Sequence, residues 1–125
     1  MNWKIELIHF PVSDVDRAKE FYVDRVGFHA DHDVQVNDTL RFVQLTPPGS
    51  ACSIAFGTGL DDTGMLPGSQ NSVQVVVPNA DEARQHLLDN GVDASDVAEL
   101  AWGRFVTFSD PDGNTWTLQE LPARP

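Results

Sequence analysis

Four histidines, one cysteine and a scatter of hydroxyl and amide side chains are what this chain of 125 residues offers to chemistry. His9 is the one candidate for a catalytic role. An imidazole titrates near neutrality, so it can serve as a general base once a carboxylate or carbonyl orients it. The alternative, favoured because no obvious acid partner shares its face, is a cleft-lining ring hydrogen-bonded to a neighbour such as Gln74 or Gln119. His29 and His32 stand three apart in HADH and point to opposite sides if that segment is extended. His86 falls on a helical pattern and is expected to face solvent. Cys52 alternates with Ile54 and Phe56, which makes it an inert core thiol rather than a nucleophile. Glu120 shares the alternation of Trp116 and Leu118, so it should point away from the face of Thr117 and Gln119 unless a bulge re-aims it.

These residues are carried by a unit written twice. Arg41 to Phe56 reads RFVQLTPPGSACSIAF and Arg104 to Leu121 reads RFVTFSDPDGNTWTLQEL, two β-rich pairs hinged on Pro-Pro-Gly and Asp-Pro-Asp-Gly turns. Their turn glycines, Gly49 and Gly113, are 64 residues apart. Upstream of each lies an alternating strand, near 4–12 and 72–77, followed by a capped amphipathic helix ending at Gly27 or Gly91. Ser13-Asp14 with Asp16, and Asn79 with Glu82, read as the caps. Further strands are expected near 28–36, 40–46, 51–57 and 93–100. The spacing predicts a single domain over 1–125: a first βαβββ module to about residue 57, a glycine-rich linker over 58–71, and a second module from 72.

Alternation then sorts the side chains. Ile8, Phe10, Val12, Ile54, Phe56, Val73, Val75, Val77, Trp116 and Leu118 fall on the side that faces the helices. Leu7, His9, Ser53, Ala55, Ser72, Gln74, Val76, Thr117 and Gln119 fall on the other, a mixed and weakly polar set that suits a ligand cleft. Trp116 reads as core. Trp3 covers an edge or a dimer contact. Trp102, beside Gly103, is either a stacking residue at the cleft mouth or an ordinary cap on the sheet end.

Nineteen acidic against eight basic residues give a formal net charge of −11. Such a chain is not expected to bind nucleic acid or an anionic membrane, and its field favours cationic ligands. The lone Cys52 forms no internal disulfide, no run approaches a membrane span, and Glu6 stands where a signal peptide would be apolar. The expected setting is the cytoplasm.

The paired units, the opening VSDVDRAKEFY...VGF and the closing FSDPDGNTW...QE resemble the vicinal oxygen chelate superfamily, which includes glyoxalase I, extradiol dioxygenases and bleomycin-resistance proteins. The resemblance implies an α+β fold in which two βαβββ modules form a curled sheet around a cleft, helices outside. It also implies a homodimer whose cleft walls come from both subunits. Metal-dependent members hold a divalent ion with one His, Gln or Glu from each of four strands. Carried over, those positions fall on Leu7, Ser53, Ser72 and Thr117, none of which is a donor for such an ion. No metal and no other cofactor is therefore expected.

The cleft is expected to comprise Leu7, His9, Ser53, Ser72, Gln74, Trp102, Thr117 and Gln119. Three readings follow. One is a metal-independent protein that sequesters a planar or cationic natural product, as bleomycin-resistance proteins do. The second is an enzyme of the same fold, a lyase, isomerase or dioxygenase, whose metal site is lost or relocated. The third is a binding or sensing module for a small metabolite.

Overall fold

Each half of the chain folds as a strand, a helix and three further strands. The computed structural model describes residues 1–59 and 64–123, so positions 60–63 of the expected linker lie outside the described residues. In the first half, β1 (Leu7–His9), β2 (His29–Gln35), β3 (Arg41–Thr46) and β4 (Ser53–Thr58) form a sheet in the order β1-β4-β3-β2. In the second, β5 (Val73–Val76), β6 (Ala98–Leu100), β7 (Gly103–Ser109) and β8 (Thr115–Glu120) repeat it as β5-β8-β7-β6. The first strand of each sheet pairs in parallel with the last, and the remaining pairs are antiparallel.

Two strands are shorter than their patterns predict. Beyond β1 the ladder continues by single bonds, from Ser53 N to Glu6 O at 3.0 Å and from Phe10 N to Ala55 O at 2.8 Å. Pro11 then lacks the N–H to go on. In the stretch read as 93–100, only 98–100 pairs as a strand. Ahead of it the Ser95 hydroxyl accepts from Thr107 N at 2.8 Å, a side chain doing what the ladder would do.

Helix α1 (Val15–Glu20) is capped by Asp14, whose carboxylate accepts from Arg17 N at 3.0 Å. The cap is thus one residue later than the Ser13–Asp16 box expected, because Ser13 is engaged elsewhere. The helix continues as a π-helical turn, Phe21–Val26, ending at Gly27 with φ of 100°. Its last bond runs from Gly27 N to Tyr22 O at 2.9 Å. Helix α2 (Ala80–Asp89) carries the predicted Asn79 cap, which accepts from Glu82 N at 3.0 Å.

The two packing faces meet in one core. Val15, Ala18, Phe21 and Tyr22 of the first helix, and Ala80 and Leu87 of the second, are buried against Ile54, Phe56, Trp116 and Leu118. Phe10 stacks on Trp116 with ring centres 4.9 Å apart and planes at 19°. Phe10 comes from the first half and Trp116 from the second, so this stack ties the halves together. Burying a side chain of tryptophan size contributes on the order of 4–6 kcal/mol by area.

A polar clasp completes the join. Asp110, 6 % exposed, accepts from Tyr22 Oη at 2.8 Å, Asn114 Nδ2 at 2.8 Å, Asn114 N at 2.9 Å and Asp112 N at 3.0 Å. Trp116 Nε1 in turn donates to Tyr22 Oη at 3.0 Å. Burial, with the Asp110 charge adding to it, pushes the Tyr22 phenol far above its ordinary range, so it remains a donor. Asp112 accepts from Ser13 N at 3.1 Å, Ser13 Oγ at 2.5 Å and Arg17 at 3.1 Å, which is where the expected cap residue went. Gly68 slides against this turn with φ of 81°, and a Cβ there would stand 2.2 Å from Asp112 O.

Candidate binding site

The expected cleft residues lie on the sheet faces turned away from the helices, in two groups. On the second sheet five of them lie together, hydrogen-bonded as a pair and a set of three. Ser72 Oγ and Thr117 Oγ1 are 2.9 Å apart, Gln74 Nε2 donates to Gln119 Oε1 at 2.7 Å, and Gln119 Nε2 donates to Trp102 O at 2.9 Å. Ser72 stands just ahead of β5 in the left-handed region, with φ of 57°, and its N–H is held by Thr115 Oγ1 at 2.6 Å. Trp102 is 61 % exposed, its ring 6.5 Å from that of Phe105 and inclined at 65°. Phe105 lies opposite Gln119 in the ladder and therefore on this face. Alternation could have flagged it, but its RFV context reads as core.

On the first sheet, Leu7 lies beside Ser53 and His9 beside Ala55. The link expected from the His9 ring to Gln74 or Gln119 is not formed: those two amides bond to each other, and Gln70 Nε2 takes the His9 carbonyl instead, at 3.0 Å. Ser53 is 5 % exposed. Its hydroxyl lies 2.6 Å from Thr46 Oγ1, and Thr46 donates to the carboxylate of Asp31. This chain exists because β2 is bulged between Ala30 and His32. The extra residue re-aims Asp31 across the sheet. It also puts His29 opposite Thr46 and His32 opposite Gln44, so the two rings share a face instead of opposing one another.

Between the halves opens a cavity of about 590 Å³. Its walls are Ile5, Ile8, Val26 and Phe28, the turn 47–50, β5 and the residue after it, Ala83 and Leu87 of α2, and the core residues Ile54, Phe108, Trp116 and Leu118; of the expected set only Ser53 and Gln74 are among the lining residues. Of the other expected residues, His9 lines a smaller cavity of about 170 Å³ with Phe10, Val12 and Phe56, and the rest lie on the open sheet faces. The lining of this 590 Å³ cavity contains no Lys, Arg, Asp or Glu, whereas a second of about 600 Å³ on the outer side of β7 is lined by Arg25, Asp93 and Asp110. The first does contain His86, exposed as its helical pattern predicts, whose Nε2 is also 2.8 Å from Val26 O, so that the ring bridges the halves. Cys52 lines it too. The thiol is half-buried rather than core, its Sγ 3.6 Å from Ser53 O, and burial followed by the charge of Glu6 pushes its pKa up. A thiol so shifted is a poor nucleophile.

The four positions that hold a divalent ion in metal-dependent proteins of this fold do not fit one. Leu7 has no donor, Ser53 bonds to Thr46, and the hydroxyls of Ser72 and Thr117 bond to each other. Among the described residues, no three of His, Cys, Asp and Glu are grouped to hold a metal. Glu120 is turned outward as its alternation predicts, accepting from Ala80 N at 2.7 Å at the start of α2. Cations at the rims are also committed. Arg41 pairs with Asp33 at 2.9 Å and Asp16 at 2.8 Å, and Arg104 with Asp81 at 2.7 Å and Glu99 at 3.0 Å. No helix among the described residues is long and apolar enough to cross a membrane.

With this geometry in view, the comparisons with known proteins are informative. The sequence profile of the Glyoxalase/Bleomycin resistance protein/Dioxygenase superfamily matches residues 4–118. TnmS3, an antibiotic binding protein from Streptomyces sp. CB03234, is 32 % identical, with a TM-score of 0.86 over 97 % of this chain and 98 % of its own. A superfamily member from Sphaerobacter thermophilus DSM 20745 is 31 % identical, with a TM-score of 0.81 over 95 % and 98 % of the two chains. YetH of Bacillus subtilis (strain 168), an uncharacterized protein, is 26 % identical over 113 residues, 87 % of this chain and 91 % of YetH.

Proposed function

Because this chain belongs to the Glyoxalase/Bleomycin resistance protein/Dioxygenase superfamily, whose fold serves many activities, we propose that it is a metal-independent binding protein that sequesters an organic molecule with a planar ring. The observation that carries this reading is the 590 Å³ cavity, apolar on most sides and without a charged residue in its lining. A volume of that order accommodates a drug-sized ligand. The one imidazole in this lining, His86, has its Nε2 engaged with the Val26 carbonyl at 2.8 Å, and no carboxylate stands beside it in the lining to work as its partner. The likeness to an antibiotic binding protein along nearly the whole chain supports the same reading.

The polar row Ser72, Gln74, Thr117 and Gln119, with Leu7, His9 and Trp102, extends the ligand surface over the adjoining sheet faces. Those faces also carry exposed Trp3, Ile5, Val34, Val76 and Leu100. Apolar area of that extent is seldom left to water, and a homodimer pairing these faces would enclose the ligand between two copies. Excess acidity would speed the approach of a cation, an effect that salt weakens.

The test is a titration of planar polycyclic antibiotics and bleomycin-type glycopeptides followed by tryptophan emission, since Trp116 forms part of the cavity wall. The expected result is a saturable change by protein free of stoichiometric divalent metal, with light scattering giving a dimer. No response to any planar compound, together with one bound Zn, Fe, Mn or Ni per chain that His9→Ala removes, would overturn it.

A further inference from the structure

The repeat that builds the fold also accounts for the cavity. Each half has a helix capped at its start, by Asp14 in the first and Asn79 in the second, and the two sheets share one strand order. Phe10 and Val75 stand four residues before those caps, Phe21 and His86 seven after them, and Tyr22 and Leu87 eight after them. The ladders supply one more match. Ile8 and Leu45 lie opposite Ile54 in the first sheet, as Val73 and Phe108 lie opposite Trp116 in the second. The rings of Phe10, Phe21, Tyr22 and Trp116 thus have Val75, His86, Leu87 and Ile54 as their counterparts. The four rings are buried and pack together: Phe10 stacks on Trp116 at 4.9 Å, and Tyr22 meets Trp116 at 5.9 Å with planes at 60°. Three of the four counterparts are aliphatic, and all four line the 590 Å³ cavity. Each of the three faces it: Ile54 and Leu87 are buried in the core, and Val75 packs against that core while its neighbour Val76 is exposed.

We infer that the cavity is the unfilled twin of the aromatic core, and that the ligand completes it by inserting an uncharged fused ring between Ile54, Val75 and Leu87. The inference rests on the binding reading above and deepens it, fixing where the ring goes and what it replaces. The counterpart of Trp116 is Ile54, so the missing group is of indole size. Trp116 and Phe28 also line the cavity, so an inserted ring has aromatic surface to pack against. The inserted end carries no charge. On the filled side Asp110 and Tyr22 bond to one another, a buried polar pair. The cavity lining has no Lys, Arg, Asp or Glu, and its one imidazole is bonded to Val26 O. A charge brought in here would lose its water with nothing in exchange. Any cationic group of the ligand stays outside, over the sheet faces.

Indole is the probe, because it is the group that the counterpart position lacks. Calorimetric titration of the full chain should show it binding, with N-methylquinolinium, similar in size but charged in the ring, at least about tenfold weaker. Restoring the missing rings should close the site. Val75→Phe and Leu87→Phe should each weaken indole at least about tenfold. As cavity-filling changes, each should also raise the thermal unfolding midpoint by about 2–8 °C. Should a variant fail to fold, isotope-filtered NOEs from indole to the methyl groups of Ile54, Val75 and Leu87 in the wild-type chain read the same contact.

Indole bound without those NOEs, or bound undiminished by a folded Val75→Phe or Leu87→Phe variant, would overturn the inference while leaving the binding reading intact. So would equal affinity for the quinolinium, or no binding of indole where a larger planar compound binds. Binding of neither probe, nor of any planar compound, would overturn both readings together.

Discussion

The same turn occurs twice in this molecule and does two different jobs. Offset by 64 residues, Thr46-Pro47-Pro48-Gly49-Ser50 corresponds to Asp110-Pro111-Asp112-Gly113-Asn114. In the second copy the carboxylates reach out of their own module: Asp110 takes the Tyr22 phenol, and Asp112 takes Ser13 and Arg17. In the first copy the turn residues wall the cavity, and Thr46, the counterpart of Asp110, transmits a hydrogen bond between Asp31 and Ser53. What the copies share is the frame. Arg41 ties β3 to Asp16 at the start of α1, and Arg104 ties β7 to Asp81 at the same place in α2. Duplication thus left one turn free to fasten the halves and the other free to shape a binding surface. The DPDGN motif belongs to the fastening, not to the chemistry.

The comparison is broken most severely at Asp110. Replacing it with alanine leaves the Tyr22 hydroxyl and the Asn114 amide buried without their acceptor, and should cost about 3–5 kcal/mol. Tyr22→Phe removes one of those bonds and should cost about 1–2 kcal/mol. The counterpart change Thr46→Val should stay within about 1 kcal/mol, since the hydroxyl it removes is half-buried and spans no module boundary. Urea unfolding of the three variants checks the order. A loss at Thr46 equal to that at Asp110 would show that the first turn fastens the halves as well.

How much of this could be read from the chain follows from the range of each interaction. Alternation and caps are local, so both sheets, both helices and the core face of Phe10, Ile54, Trp116 and Leu118 were legible. The π-helical turn at Phe21–Val26 was not, because an extra residue in a helix leaves the apolar spacing of Phe21 and Tyr22 unchanged. The bulge at β2 hid more. It exchanged the side to which one of two histidines points, and it brought Asp31 to Thr46 across a ladder whose register no local pattern reveals. The cavity hid for a third reason. It opens where the two halves diverge, so residues such as Val73 and Val75, which alternation assigns to packing, line it as well.

The frame that the copies share can be loosened from one side by acid. Asp33 holds both Arg41 and Lys19, at 2.9 and 2.8 Å, and the hydrogen bonds from Arg41 first, then Lys19, keep its carboxyl well below the usual range. Folding therefore lowers this pKa, and the folded state binds fewer protons than the unfolded chain in acid. The stability so gained is complete above the ordinary carboxylate value of about 4 and drains away as pH falls below it. Asp33→Asn should lower stability at pH 7 and flatten the loss between about pH 4 and 2, read from unfolding midpoints across that range. An unchanged acid limb would assign the loss to other carboxylates.

The smallest effect on stability is expected at Trp102, and that is what makes it the sharpest probe of the binding face. Its side chain is mostly in water and touches only Phe105 among the rings, while the bond that holds Gln119 comes from its carbonyl. Trp102→Ala keeps that carbonyl, so the unfolding midpoint should move by no more than about 0.5 kcal/mol. Binding is another matter. If a cationic planar ligand extends from the cavity onto the second sheet, its ring meets the indole face, and losing that contact should weaken affinity about 2- to 30-fold, the range of a cation–π contact from exposed to desolvated. The matched change on the first sheet, His9→Ala, removes no aromatic stack of this kind and should weaken the same ligand less. Calorimetry on the two variants at low salt decides between the sheets. Equal losses would mean that the ligand spans both faces, and no loss at Trp102 would confine it to the cavity between them.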